Sequence, residues 1–457
     1  MGHLVRFLAA AVLAAGLCAV PGAPLLAVAV AQDVDDDVND DLDDEIDDDV
    51  DDEIDDDIDD EIDDDLDDEI DDDLDDDFED DFEDDFDRED LERAARGLDD
   101  TERRIAVEID EEGARVLERE WVVLAETGDG EAYRRSGFAV LERRDLGALG
   151  GVLLRILAPR SFDPETVARR LREVDPGALV DRNHLYTPQR ATPADGSPAA
   201  LAPPADAAGG AGLLVGVVDG AANRRHPALR RADIETADFS GAAPAAIRHG
   251  TAVVSVLVGE ARGFRGVAPR ARIRLAAALF ETEGGAEAAS VAGLVAALDW
   301  LLSEETPVVL MSLAGPPNTI LERAVGAAGA RGTTVVAAVG NRGPVAPPQY
   351  PSAYDGVVGV TAVDAAGAPY RLAGRGDHVD FAAPGVDVRT AAAGGGYRTI
   401  SGTSFAAPFV AAALAGLKRE AGGDAVTLLA ARVQDRGAPG RDPVFGYGVF
   451  GNTFAAE

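Results

Sequence analysis

The sequence predicts an α/β protein: a parallel sheet with helices on both faces, preceded by a small α+β domain and an acidic tract. Three observations predict it. Strand and helix signals alternate across residues 212–450. A strand-helix-strand-strand-helix-strand pattern occupies 88–187. An apolar residue recurs every four positions through an almost wholly acidic stretch from Val34 to Phe86.

Residues 1–31 read as a secretory signal peptide. Arg6 supplies the positive end, Phe7 to Val20 the apolar run, and Ala29-Val30-Ala31 a small-residue cleavage site. Pro21 and Pro24 stop the run short of a comfortable membrane span. The expected location is secreted or periplasmic, with no membrane attachment after cleavage. Cys18, the only cysteine, lies in this segment. The mature chain is therefore expected to have no disulfide, no thiol nucleophile and no cysteine-bound metal.

The second segment is 32–87. The whole chain has 86 Asp and Glu against 41 Lys and Arg. Residues 33–86 hold 39 of the acids and no base, which leaves an ordinary balance elsewhere. Such acidity argues against a nucleic-acid partner, whose phosphates need Lys and Arg. The four-residue period drifts around a helix and misses the two-residue period of a strand. Asp is also a poor helix former, and like charges repel. The tract reads as disordered in the absence of a cation or partner. Its carboxylates are hard oxygen ligands, so Ca²⁺ is a candidate there, although no EF-hand loop is present.

Across 88–187 the elements come in a definite order. Glu120–Ala125 reads as a strand and Gly130–Gly137 as a short helix. Phe138–Ala158 reads as two strands around Gly147–Gly151. Asp163–Val174 has a helix start with proline in its first turn, and Leu179–Tyr186 closes as a strand. This order is that of a ferredoxin-like sandwich. Residues 188–211, rich in Ala, Pro and Gly, read as an exposed linker.

In 212–457, Leu213–Val218, Pro307–Leu313, Thr333–Val339 and Val357–Val363 read as buried strands. Ala286–Glu304 and Ile320–Ala330 read as helices. Such alternation makes a parallel sheet. Its functional crevice lies beyond the carboxyl ends of the strands.

Four side chains stand out there. Asp219 ends the strand LLVGVVD. His249 opens HGTAVVSVLVG, a helical run whose N-terminus should disfavour imidazolium and keep the ring a neutral base. Asn341 follows TTVVAAVG at another strand end. Ser404 sits in GTS ahead of FAAPFVAAALAGLK, at the start of a buried helix. Taken singly, each is a turn residue, a core histidine or a helix cap.

Taken together, they resemble a subtilisin-family serine protease, a subtilase. The matching runs are VGVVDG (215–220), HPAL (226–229), HGTAVVSVLVG (249–259) and GVAP (266–269). They continue as MSLAGP (311–316), VVAAVGN (335–341), YPSAYDGVVGVTAVD (350–364), FAAPG (381–385) and SGTSFAAP (401–408). The intervals are 30 residues from Asp219 to His249, 92 to Asn341 and 63 to Ser404.

The resemblance implies a serine endopeptidase with a subtilisin-like fold and polypeptide substrates. Ser404 would be the nucleophile, His249 the base, Asp219 its partner, and Asn341 an oxyanion donor. Ser312, Leu313, Ala314 and Gly315 would pair with the substrate backbone. Ala338, Val339 and Gly340 would wall the pocket for the residue before the cut. No cofactor is needed for this chemistry. Residues 88–187 would be an inhibitory propeptide ending in RNHLYTP (182–188), cut within the linker.

Departures from the family pattern touch specificity. Gly220 follows the aspartate where a hydroxyl residue is usual, and Ala252 and Ala314 replace a common histidine and glycine. Val339 and Gln349 narrow the pocket, which favours a small or medium apolar residue. Two other readings stand beside this one. The acidic tract is the active part, binding cations or a basic partner, or the protease has lost its activity.

Overall fold

The computed structural model describes residues 106–188, 192–193, 210–241, 243–421 and 424–450. The expected signal peptide with Cys18, the acidic tract with its candidate Ca²⁺, and most of the linker lie outside them. All described residues belong to one unit, Glu83–Glu457.

The first part is built on β1 (Val107–Ile109), β2 (Arg115–Ala125), helix α1 (Gly130–Arg135), β3 (Ala139–Asp145) and β4 (Val152–Leu157). Helix α2 (Pro164–Val174) and β5 (Leu179–Tyr186) complete it. Its strands pair antiparallel in the order β5-β2-β4-β3, the sandwich the sequence predicts. Asp163 caps α2 by accepting from the Thr166 N–H, with Pro164 in the first turn. Strand β2 starts five residues before the expected Glu120. A register shift between Val116 and Trp121, with Arg119 at φ 58°, breaks the alternation that would have revealed it.

The chain then passes through β6 (Thr192–Pro193) to β7 (Leu214–Asp219) and β8 (Asp233–Asp238). Helix α3 (Arg248–Val258) precedes a hairpin of β9 (Glu260–Ala261) and β10 (Phe264–Arg265). Next come β11 (Arg272–Ala277), a second hairpin of β12 (Phe280–Glu281) and β13 (Glu287–Ser290), and α4 (Val291–Leu302). The chain continues as β14 (Val308–Met311), α5 (Thr319–Ala330), β15 (Thr334–Ala338), β16 (Val358–Val363) and β17 (Phe381–Pro384). Strands β18 (Val388–Ala391) and β19 (Tyr397–Ser401) lead into α6 (Thr403–Ala421) and α7 (Ala425–Ala430).

Seven strands form one parallel sheet in the order β17-β16-β15-β14-β7-β11-β8. Successive side chains of a strand point to opposite faces, and the core divides accordingly. Val215, Val217, Val308, Leu310 and Val336 pack with α3 and α6. Val218, Val309, Met311, Val335 and Ala337 pack with α4 and α5. Helices therefore cover both faces, which is why the strands read as continuous apolar runs.

One expectation needs correction. Residues 287–290 form strand β13, not the start of a helix. Ser290 caps α4 by accepting from the Gly293 N–H, so the helix begins at Val291. Strand β11 (RIRLAA) escaped notice because of its arginines. Arg274 is buried all the same: its guanidinium lies 3.9 Å from the Trp300 ring centroid. It donates to the Trp300 and Leu301 carbonyls at the end of α4.

Candidate active site

Asp219 sits at the carboxyl end of β7 and is buried. His249 lies in the first turn of α3. Its Nδ1 is 2.9 Å from each Asp219 oxygen, and the Gly220 N–H donates to Asp219 Oδ1 at 2.7 Å. The helix reaches the aspartate because two glycines let backbones touch. A Cβ on Gly250 would fall 2.2 Å from the Gly220 carbonyl oxygen. One on Gly220 would fall 2.4 Å from that of Ala246. The missing hydroxyl residue at 220 is thus a packing requirement.

Helix α3 has Ile247 at its N-cap, with no side-chain cap of its own. The acceptor comes from β13. Glu287 takes the Arg248 N–H at 3.0 Å and the His249 N–H at 3.2 Å. Sequence reasoning missed Glu287, since nothing local marks a carboxylate that caps a helix 38 residues away.

Electrostatics at His249 differ from expectation. Burial disfavours the charged ring, but Asp219, with Glu287 behind it, outweighs burial, and the pKa is raised above its ordinary value. The two carboxylates outweigh both burial and Arg398.

Ser404 is fully buried in the first turn of α6. Its hydroxyl donates to the Ser312 carbonyl at 3.0 Å, and the Ser312 hydroxyl donates back to the Ser404 carbonyl at 3.2 Å. Pro408 explains the second bond: with no N–H four residues on, the Ser404 carbonyl lacks its helical donor. His249 Nε2 is buried and makes no hydrogen bond among the described residues. The imidazole packs 5.7 Å from the ring of Phe405, the residue after Ser404. Asn341 follows β15. Its Oδ1 accepts from the Thr403 N–H (3.1 Å) and hydroxyl (3.0 Å), which fixes the direction of the amide.

Ala314 and Gly315, from the run expected to pair with substrate, are paired with the chain itself. Ala314 and Thr187 exchange two backbone hydrogen bonds of 3.0 Å, as antiparallel partners. The Tyr186 ring lies on Gly315, where a Cβ would meet it at 2.7 Å, and its hydroxyl donates to the Pro316 carbonyl. Burial pushes that hydroxyl's pKa far up, so it stays a donor. Gly315 in turn pairs with Tyr350. Past the cleft, Thr192 and Pro193 pair antiparallel with Ser401 and Ile400, just ahead of Ser404. Ser312, Leu313, Ala338 and Val339 are buried. Gly340 has φ 95°, and Gln349 Oε1 lies 2.0 Å from where its Cβ would stand. Among the described residues no group of three or more His, Cys, Asp or Glu could hold a metal ion.

The chain resembles known proteins in sequence and in fold. Residues 210–448 match the Subtilase family (peptidase S8). The chain is 34% identical over 208 residues to the minor extracellular protease Epr of Bacillus subtilis, covering 44% of this chain and 32% of that one. It is 34% identical over 175 residues to subtilisin Savinase of Lederbergia lenta, covering 38% and 63%. The chain thus spans less than two thirds of either relative. The crystal structure of fervidolysin from Fervidobacterium pennivorans, a keratinolytic enzyme related to subtilisin, superposes with a TM-score of 0.61 at 19% identity. That superposition covers 76% of this chain and 61% of fervidolysin, and so shares fold beyond the 210–448 span. With its parallel sheet, its Asp219–His249 pair and more than half of its length matched, the chain belongs to the subtilase family.

Proposed function

We propose that the protein is a secreted serine endopeptidase, made as a precursor that inhibits and then cuts itself. The order of proton transfers is the established one for Ser-His-Asp hydrolases, subtilisins included. Ser404 attacks the scissile carbonyl. His249 Nε2 takes the hydroxyl proton and returns it to the leaving amine. Asp219 holds the proton on Nδ1 and stabilises the imidazolium. Asn341 donates to the oxygen that becomes negative. Attack requires the Ser404 hydroxyl to leave the Ser312 carbonyl for His249, a change of one side-chain torsion.

One observation carries this reading. The chain's own Thr187 lies antiparallel on Ala314, and Thr192–Pro193 lies antiparallel on Ser401 and Ile400. Two stretches of the chain therefore pair with segments that adjoin Ser404, in the way proposed for an extended substrate. This supports residues 88–187 as the propeptide, 188–211 as the linker and 212–457 as the catalytic domain. On this reading the cut falls between Thr187 and Thr192. Residues 1–31 would direct secretion, and 32–87 would leave with the propeptide.

Gln349 against Gly340, with the buried Val339 beside it, closes the pocket wall and favours a small or medium apolar residue before the cut. N-terminal sequencing tests the reading. The wild-type chain should acquire a new N-terminus between residues 188 and 192, and Ser404→Ala should stay uncut. Cleavage of purified Ser404→Ala at that position would overturn self-processing.

A further inference from the structure

We propose that Glu287 is a positioning residue for His249: its carboxylate caps the helix that presents the imidazole and adds a fixed negative charge beside it. The inference rests on the reading of His249 as the proton acceptor.

The first N–H groups of a helix have no partner within it. Ser, Thr, Asp or Asn at the N-cap usually supplies one. Helix α3 has Ile247 there and supplies none. Glu287 fills the place from a different element, with Oε1 on the Arg248 N–H (3.0 Å) and Oε2 on the His249 N–H (3.2 Å). Because it binds the backbone of His249 itself, it fixes where the ring begins.

The Glu287 side chain is only 9% exposed. A carboxylate so enclosed is costly unless donors surround it. The two helix N–H groups provide them, and the Arg248 guanidinium, 3.8 Å away, adds an opposite charge. Strand β13 is itself held on both sides. It pairs with β12 through Glu287–Glu281 and with β5 through Ala289–Tyr186. The pairing with β12 remains when β5 leaves with the propeptide, so the cap stays on a paired strand in the processed enzyme.

Charged groups reach His249 from each element around it. Asp219 faces Nδ1 from β7, and Glu287 faces the backbone from β13. Arg398 acts from β19, and Arg248 precedes the histidine in α3. Asp219 and Glu287 favour the charged ring and Arg398 opposes it. Removing the Glu287 charge should thus make His249 a weaker base with a lower pKa.

The test is the pH dependence of kcat and kcat/KM for peptide hydrolysis by the processed enzyme, comparing wild type, Glu287→Gln and Glu287→Asp. Gln keeps an acceptor and loses the charge. Its acid limb should move to lower pH by about half a unit, with kcat down and KM little changed. Asp keeps the charge on a shorter stem. Its acid limb should stay in place while kcat falls on the order of threefold. A Gln profile superimposed on wild type would overturn the proposal. Should the Gln variant not fold, an Asp variant with unchanged kcat would overturn it alone. A wild-type enzyme that hydrolyses nothing, or whose hydrolysis survives Ser404→Ala, would instead defeat the catalytic reading on which the proposal stands.

Discussion

His249 Nδ1 lies 2.9 Å from both carboxylate oxygens of Asp219, at the end of a buried strand. Asp219 thereby holds the Nδ1 proton and leaves Nε2 as the basic nitrogen. Asp219→Asn keeps the shape and presents a donor to Nδ1, which favours the wrong tautomer. The expected outcome is a loss in kcat of about 10⁴ with KM little changed, as in Ser-His-Asp hydrolases generally. Steady-state kinetics on a peptide substrate checks it.

The same contact sets the pH dependence. Burial works against the charged imidazole, but Asp219 and Glu287 outweigh it and the His249 pKa is raised. His249 accepts a proton only when neutral. The acid limb of kcat/KM should therefore have its midpoint above about 6.5, the ordinary histidine value. Stability runs the other way. The pair's contribution is complete below that value and fades as pH rises through the folded pKa. A midpoint below 6 in the kcat/KM profile would contradict the geometry.

Gln349 tests the proposed pocket wall. Its Oε1 fills the space over Gly340, which at φ 95° carries no side chain to resist it. Gln349→Gly should open the pocket. The kcat/KM ratio for a phenylalanine against an alanine before the cut should rise on the order of tenfold. Paired peptide substrates that differ at that residue measure it.

Asp299 is one of several residues that hold the α+β part to the rest. The Asp299 carboxylate on α4 accepts the Ala148 and Leu149 N–H groups at 2.8 Å and that of Gly147 at 3.2 Å. Asp299→Ala removes these acceptors and should weaken retention by about 1–3 kcal/mol. After self-cleavage, the variant should regain peptidase activity faster than wild type as its propeptide dissociates. A progress curve of substrate hydrolysis reads this directly.

Much of this was legible in particular residues. Leu179–Tyr186 occurs as a strand with the expected bounds. Asp219, His249, Asn341 and Ser404 stand at strand ends or in first helical turns, as their flanking runs imply. What was not legible depends on distant partners. Arg274 reads as an exposed charge until Trp300 and the α4 carbonyls bury it. Glu287 reads as part of a helix until β12 and β5 make it a strand. The direction of the His249 shift is hidden because the helix N-terminus shows in the sequence and the carboxylate capping it does not.

The central claim is that Ser404 is the nucleophile, and its reaction with a fluorophosphonate tests it most directly. After processing, the wild-type protein should be labelled at Ser404, with mass spectrometry locating the adduct. Ser404→Ala, freed of residues before 192 by limited proteolysis, should remain unlabelled. Equal labelling of both proteins, or an unlabelled wild type after its propeptide has gone, would contradict the account.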